Sequence, residues 1–142
     1  MNILFIRAIL VLLTPLITFC SVSRQESYNN SFTETGKWKL IAINEESVLS
    51  ETYTQGIPYL EIKKKDAVVS GFTGCNLIQG QYEISGNQIR FQQIISTKKY
   101  CKGIPEQVFL KALEKVDSYT IKGNELFMLQ NETRLLYFIK SD

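Results

Sequence analysis

Three cysteines and a few scattered carboxylates are the residues that could do chemistry in this chain. None of its 142 residues is a histidine, which removes the Ser/His and Cys/His nucleophile pairs and the commonest zinc ligand. Asp66, Glu83, Glu106 and Asp117 fall at no motif spacing, so no pair of carboxylates is set up for acid–base work. Cys75 and Cys101 are 26 positions apart. Redox-active dithiols usually have the close Cys-x-x-Cys spacing, which is absent here. Neither cysteine is accompanied by an obvious set of further metal ligands, so no metal or cofactor is expected.

The third cysteine belongs to an export pattern. Residues 1–19 carry one charge, Arg7, followed by an apolar run from Ala8 to Phe19. The run is shorter than the roughly 20 apolar residues a membrane-spanning helix needs and reads as the h-region of a signal peptide. Leu16-Ile17-Thr18-Phe19-Cys20 resembles a bacterial lipobox with Cys20 as the lipidated residue, although Phe19 replaces the usual small residue. The alternative is cleavage after Ser21-Val22-Ser23, which discards Cys20. Residues 20–35 are polar, without periodicity, and are expected to be a flexible tether. Under either cut Cys75 and Cys101 remain as an even pair in an oxidising compartment. A disulfide is the economical expectation, contributing about 3.5 kcal/mol in the chain-entropy account. A redox-active dithiol stays as the alternative.

A domain is expected over residues 36–142, built mostly of strands. Trp38, Leu40 and Ala42 alternate along the first; Leu60 and Ile62 along a second, Tyr59 to Lys63; a third runs from Ala67 to Phe72 after a Lys65-Asp66 turn. Residues 45–56 are polar and read as a loop. Two segments echo one another, from Tyr82 to Phe91 and from Tyr119 to Met128. Both follow Tyr-x-Ile-x-Gly-Asn-x-aliphatic-x-apolar, which predicts two hairpins turning at Gly86-Asn87 and Gly123-Asn124. Between them Pro105 suits the first position of a helix, and Glu106 its positive end. Phe109, Leu113 and Val116 form its apolar stripe, with Val108 and Ala112 beside them. Asn131-Glu132-Thr133 makes a turn before a last apolar strand. Helices do not alternate with the strands, so the sheet is antiparallel, and a small curled barrel removes its edges. The fold class is therefore mainly β: a small antiparallel barrel with one α-helix packed against it.

Trp38-x-Leu40, the block Gly71-Phe72-Thr73-Gly74-Cys75-Asn76, Gly80-x-Tyr82, Thr97, Cys101, Glu106-x-x-Phe109, Leu113, Tyr119 and Leu126 together resemble the META domain (HslJ-like) family, over nearly all of the chain beyond residue 35. The resemblance implies a barrel-like domain with a helix, no catalytic residues to carry over, and a loose link to stress tolerance in the cell envelope. Its motif positions (Trp38, Gly71, Gly74, Cys75, Asn76, Gly80, Tyr82, Thr97, Cys101, Glu106, Phe109) are read as structural.

The net charge of +2 is mixed in sign along the chain, which argues against a nucleic-acid partner. The expected function is that of a non-catalytic envelope lipoprotein, held at the membrane by lipid on Cys20 and binding an envelope protein or an apolar ligand. A soluble secreted or periplasmic form is the alternative location. Two other functions compete: a thiol-redox enzyme using Cys75 and Cys101, and a barrel-type lipid carrier akin to secretion pilot proteins, lined by Tyr82, Phe91, Tyr119 and Tyr137. Packing those aromatics into a solid core is the simpler expectation.

Overall fold

Alternating segments become strands here, and each pairs with its neighbour in the chain. The computed structural model describes residues 36–48 and 50–141. The export segment, Cys20 and the tether lie outside the described residues. The elements are β1 (Gly36–Ile43), β2 (Glu46–Ser47), β3 (Tyr59–Lys63), β4 (Val68–Phe72), β5 (Leu77–Ser85), β6 (Gln88–Ser96), α1 (Glu106–Lys115), β7 (Ser118–Lys122), β8 (Glu125–Gln130) and β9 (Thr133–Ser141). All pairings are antiparallel, and β9 returns to β1. Strand β2 is a two-residue flap on β1. The other eight close into a barrel, as the alternation and the cost of free edges anticipate.

The inward positions fill the barrel. Leu40, Leu60, Ile62, Val69, Leu126, Met128, Leu136 and Phe138 are at most 1% exposed. Helix α1 buries Phe109, Ala112 and Leu113 against β1, β6 and β9, and Phe109 meets Phe138 edge-on at 6.4 Å. Fully burying side chains of this size stabilises by about 1.5–3 kcal/mol each. The two echoed hairpins turn where expected, with Gly86 and Gly123 at positive φ (62° and 59°). This is the type II′ arrangement, in which glycine leads the turn. They are also coupled: Tyr119 of the second donates its hydroxyl to the Gly86 carbonyl of the first, at 3.1 Å.

Several expectations need correction. The register of β1 against β9 shifts between Leu40 and Ala42. This bulge reverses the phase, so Ile43 is buried and Ala42 half-buried. Pro105 stands one position earlier than expected, as the N-cap of α1. Val108 points outward, 47% exposed, because the buried stripe is narrower than the apolar pattern. Within the supposed loop of residues 45–56, Glu46 and Ser47 pair back on β1 and Tyr53 is buried. The turn before β4 is a 3₁₀ turn, Lys64–Asp66, that stops on Ala67 in the left-handed region.

Strands β6 and β7 barely pair. Their ladder has one register position, Gln88 opposite Ser118, with bonds from Ile89 N to Asp117 O and from Tyr119 N to Asn87 O. Beyond it the chain leaves β6, forms α1 and returns at the start of β7. Asp117 completes this junction. Its carboxylate accepts the Asn131 backbone N–H at 2.8 Å and the Ser118 hydroxyl at 2.7 Å.

Two predictions follow from the turns. Asn131 and Glu132 both have positive φ (48° and 66°), the type I′ geometry that favours glycine at its second position. Glu132→Gly should therefore stabilise the domain by about 1 kcal/mol, read as a higher urea midpoint at unchanged slope. The Asn131 N–H and the Ser118 hydroxyl hold the exposed Asp117 carboxyl below its usual range. A carboxyl lowered by folding adds stability above its unfolded pKa, about 3.9, and that stability is lost as pH falls through the folded value. The stability advantage of the native chain over Asp117→Asn should accordingly be constant near neutrality and shrink below about pH 4, as melting curves at a series of pH values will show.

Candidate functional site

The motif residues converge at one end of the barrel, where the β4–β5 turn, the segment after β6 and the start of α1 meet. Thr73 starts the turn. Its hydroxyl accepts the backbone N–H of Asn76 at 2.8 Å and of Cys75 at 3.3 Å, a local motif open to threonine in a turn. It donates its proton to Glu106 Oε1 at 2.7 Å, so its donor and both acceptor sites are used. Gly74 follows at φ 94°. A Cβ there would lie 2.3 Å from the Tyr53 ring, so the close approach of that buried ring requires glycine. Burial alone raises the pKa of Tyr53.

Asn76, 3% exposed, is the hub. Its Oδ1 accepts the Thr97 hydroxyl and the Lys99 backbone N–H, both at 2.7 Å. Its Nδ2 donates to the Lys99 carbonyl and to Glu106 Oε2, both at 3.0 Å. The side-chain amide thus pairs with the Lys99 main chain as a neighbouring strand would, and all four of its hydrogen-bonding positions are filled. Thr97 also accepts the Leu77 N–H at 3.2 Å. Next to this cluster Cys75 and Cys101 form a disulfide, with Cα atoms 5.8 Å apart. Cys75 is buried and Cys101 half-buried. The structure therefore brings together Gly74, Cys75, Asn76, Thr97, Cys101 and Glu106.

The other motif residues lie in the barrel. Trp38, Tyr82 and Phe109 are core. Trp38 Nε1 is buried with no hydrogen-bond partner among the described residues, so packing alone places this ring. Gly71 is buried in β4. Gly80 faces a bulge in β6, where Gln93 takes φ 51°. A Cβ on Gly80 would meet Ile94 Cδ1 at 2.5 Å and Gln92 O at 2.8 Å.

Of the four aromatics considered for a ligand cavity, Tyr82 and Tyr119 are fully packed inside and Phe91 is half-buried. Burial, with a smaller contribution from Tyr119, raises the Tyr82 pKa. Tyr137 belongs to the opposite face. It stacks on Phe127 at 4.9 Å and donates to Glu125, because Leu136 and Phe138 take the inward phase of β9. The four therefore do not line one cavity.

A concavity lies instead on the outer wall. A groove of about 510 Å³ crosses β3–β6, lined by Tyr59, Leu77, Ile78, Ile95 and Thr97 among others. Leu77 and Ile95 are 59% and 69% exposed. Sequence reasoning missed this surface, although it left a signal. With Ile78 inward, Leu77 must face outward, and of the adjacent Ile94 and Ile95 one must do so too.

An eight-stranded antiparallel barrel, with one helix packed at its weakly paired junction and a Gly-Cys-Asn turn locked to that helix, defines a small all-next-neighbour barrel domain. The META domain profile matches residues 31–142, and the chain belongs to the META domain family. Solved structures share the fold. One is the NMR structure of a protein from Burkholderia xenovorans, with TM-score 0.64 at 22% identity, covering 80% of this chain and 89% of the other. Another is the crystal structure of a DUF4847 family protein from Bacteroides vulgatus ATCC 8482, with TM-score 0.57 at 16% identity, covering 76% of this chain and 95% of the other. No curated protein matches the chain.

The saturated amide of Asn76 makes a sharp prediction. Asn76→Ala should cost about 3 kcal/mol, since it leaves buried partners unmet. Asn76→Asp should cost more at neutral pH, because a carboxylate would then face Glu106 and the Lys99 carbonyl, which both need a donor. The gap between the two variants should close as acid restores a proton. Urea titrations at neutral pH and near pH 4 compare them.

Proposed function

We propose that this domain is a non-catalytic binding module of the bacterial cell envelope, tethered to the membrane through lipid on Cys20, which docks a partner protein on its outer wall and supports tolerance of envelope stress. The observation that carries the reading is the groove with exposed Leu77 and Ile95 beside a polar cluster that is internally satisfied. The cluster's donors and acceptors are committed to one another, which suits a positioning role. Large apolar side chains left in solvent beside a concavity suit a contact surface. The inward side chains are packed against one another, which favours a partner on the wall over a lipid inside the barrel. The disulfide, with one sulfur buried, fits a staple in an oxidising compartment better than a redox centre, which needs an accessible thiolate.

Loss of the gene should sensitise cells to membrane-active drugs. The native chain should restore tolerance, and a chain carrying Leu77→Glu and Ile95→Glu should not. Both positions are exposed, so the variant's melting temperature should stay near that of the native chain. A deletion indistinguishable from the parent strain, or full rescue by the double variant, would overturn the reading.

A further inference from the structure

We infer that the groove selects an acidic segment of its partner protein, which seats an apolar side chain between Leu77 and Ile95 and lays carboxylates against lysines on both flanks. This rests on the reading of the outer wall as a docking surface and names the chemistry of what docks there.

The fold places the lysines of one flank. Thr97 lines the groove, and the chain runs on from it through Lys98, Lys99 and Lys102, all exposed. The Lys99 main chain is held at both polar atoms. Its N–H donates to Asn76 Oδ1 at 2.7 Å, and its carbonyl accepts from Asn76 Nδ2 at 3.0 Å. Leu77, in the groove lining, follows Asn76 directly. Cys101 is fixed by the disulfide. Its carbonyl accepts the Ile104 N–H at 3.4 Å, across a turn in which Gly103 takes φ 78°. Tyr100 therefore stands between two anchored residues, and it is 87% exposed. Tyrosine is enriched among the few side chains that dominate protein contacts. On a backbone already fixed, covering it costs little further ordering.

The opposite flank has the same sign. Lys37 and Lys39 of β1 stand across the ladder from Glu61 and Tyr59 of β3. The Lys37 ammonium lies 3.8 Å from the centre of the Tyr59 ring, and Tyr59 lines the groove. Lys63 shares the phase of Glu61 on β3. Glu61 is the acidic residue of the lining, while Ser70, Gln79, Ser96 and Thr97 are uncharged. Among the described residues none of these lysines is held in a salt bridge. The apolar strip thus runs between two sets of cations.

Charge and shape select the occupant. A second copy of this chain meeting the first groove to groove would bring lysine to lysine, and like charges so placed oppose association. A bilayer has no side chain to fill a concavity. Gly36, from which the chain leads back toward Cys20, pairs with Ile62, at the end of β3 away from the Tyr59–Phe72–Leu77 row. The loop from Lys98 to Lys102 therefore lies at the end of the barrel away from Gly36. A protein segment with Asp or Glu around a large apolar residue meets both the sign and the shape. Crossing from β3 to β6 covers three strand spacings, about 14 Å, which an extended segment spans with about four residues.

A phage-displayed library of random dodecapeptides, panned on the full chain, tests this. Selected peptides should be acidic, carry a large apolar residue, and be enriched at least about tenfold over panning on Lys98→Ala/Lys99→Ala/Lys102→Ala. The replaced side chains are exposed, so this variant should melt near the native temperature. Once synthesised, a selected peptide should lose about tenfold in affinity against that variant, against Leu77→Ser/Ile95→Ser, and against Tyr100→Ala. Raising the ionic strength until the screening length is about 3 Å should erase the lysine effect and leave the Leu77 and Ile95 effect. No enrichment, neutral or basic peptides, equal enrichment on the lysine variant, or polyglutamate bound as tightly as a selected peptide would overturn the acidic segment. Displacement of the peptide by vesicles containing phosphatidylglycerol, but not by phosphatidylcholine alone, would make the surface a lipid site instead. Uncharged apolar peptides that depend on Leu77 and Ile95 would sink this inference and leave the docking wall standing. Peptide binding indifferent to Leu77 and Ile95 would remove the groove as a contact surface, and with it the reading on which the inference rests.

Discussion

One buried amide holds one end of the barrel together. From the β4–β5 turn, the Asn76 side chain hydrogen-bonds to two segments distant in sequence, the chain after β6 and the first residue of α1, and so ties three parts of the chain together. A buried amide costs several kcal/mol if its groups go unpaired and contributes only modestly when they are paired. Its value is therefore specificity. One arrangement of the three segments satisfies every group, and displacing any of them strands a donor or an acceptor in a dry site. Thr73 adds a second constraint, because the hydroxyl that shapes the turn also fixes the Glu106 carboxylate.

That constraint explains how a next-neighbour barrel accommodates a helix. Ordering α1 between β6 and β7 prevents the two strands from pairing along their length, and the junction has a single register position. The helix compensates on the inside by burying Phe109 and Leu113 in the core. Outside, what locates the chain between β6 and α1 is the Asn76 cluster and the Cys75–Cys101 link. The barrel is closed by packing and by the amide at one end, and by β-ladder hydrogen bonds elsewhere.

Local chemistry was legible in the sequence, and long-range geometry was not. The Gly-Asn turns announce themselves because glycine leads a two-residue hairpin for a local reason, and the Phe109–Leu113–Val116 stripe follows from helical period alone. The pairing of Cys75 with Cys101 was legible through parity, on the expectation of an oxidising compartment. The bulge at Ile41 was hidden, since it is set by the register of β9 against β1 and not by the residues of β1. Tyr137 looked like a lining residue because aromatic content carries no phase; Leu136 and Phe138 decide its direction. Tyr53 sat in a polar loop whose burial depends on Gly74, 21 positions away. The groove needed Leu77, Ile95 and Tyr59 to be neighbours, which only the closed sheet provides.

The same turn that holds the fold also sets the outer wall. Leu77 begins β5 directly after Asn76, and its N–H is held by the Thr97 hydroxyl, which in turn is held by Asn76. The phase of Leu77 and the end of β6 are thus fixed by one chain of hydrogen bonds. A surface built on such a constraint loses little conformational entropy when it meets a partner, and binding improves to the extent that this ordering is already in place. The disulfide acts in the same direction, because Cys101 cannot drift from Cys75 and the lysines between Thr97 and Cys101 stay near the end of the groove. On the proposed reading of the wall as a docking surface, loosening the cluster should weaken association, because it frees both the start of β5 and the chain after β6.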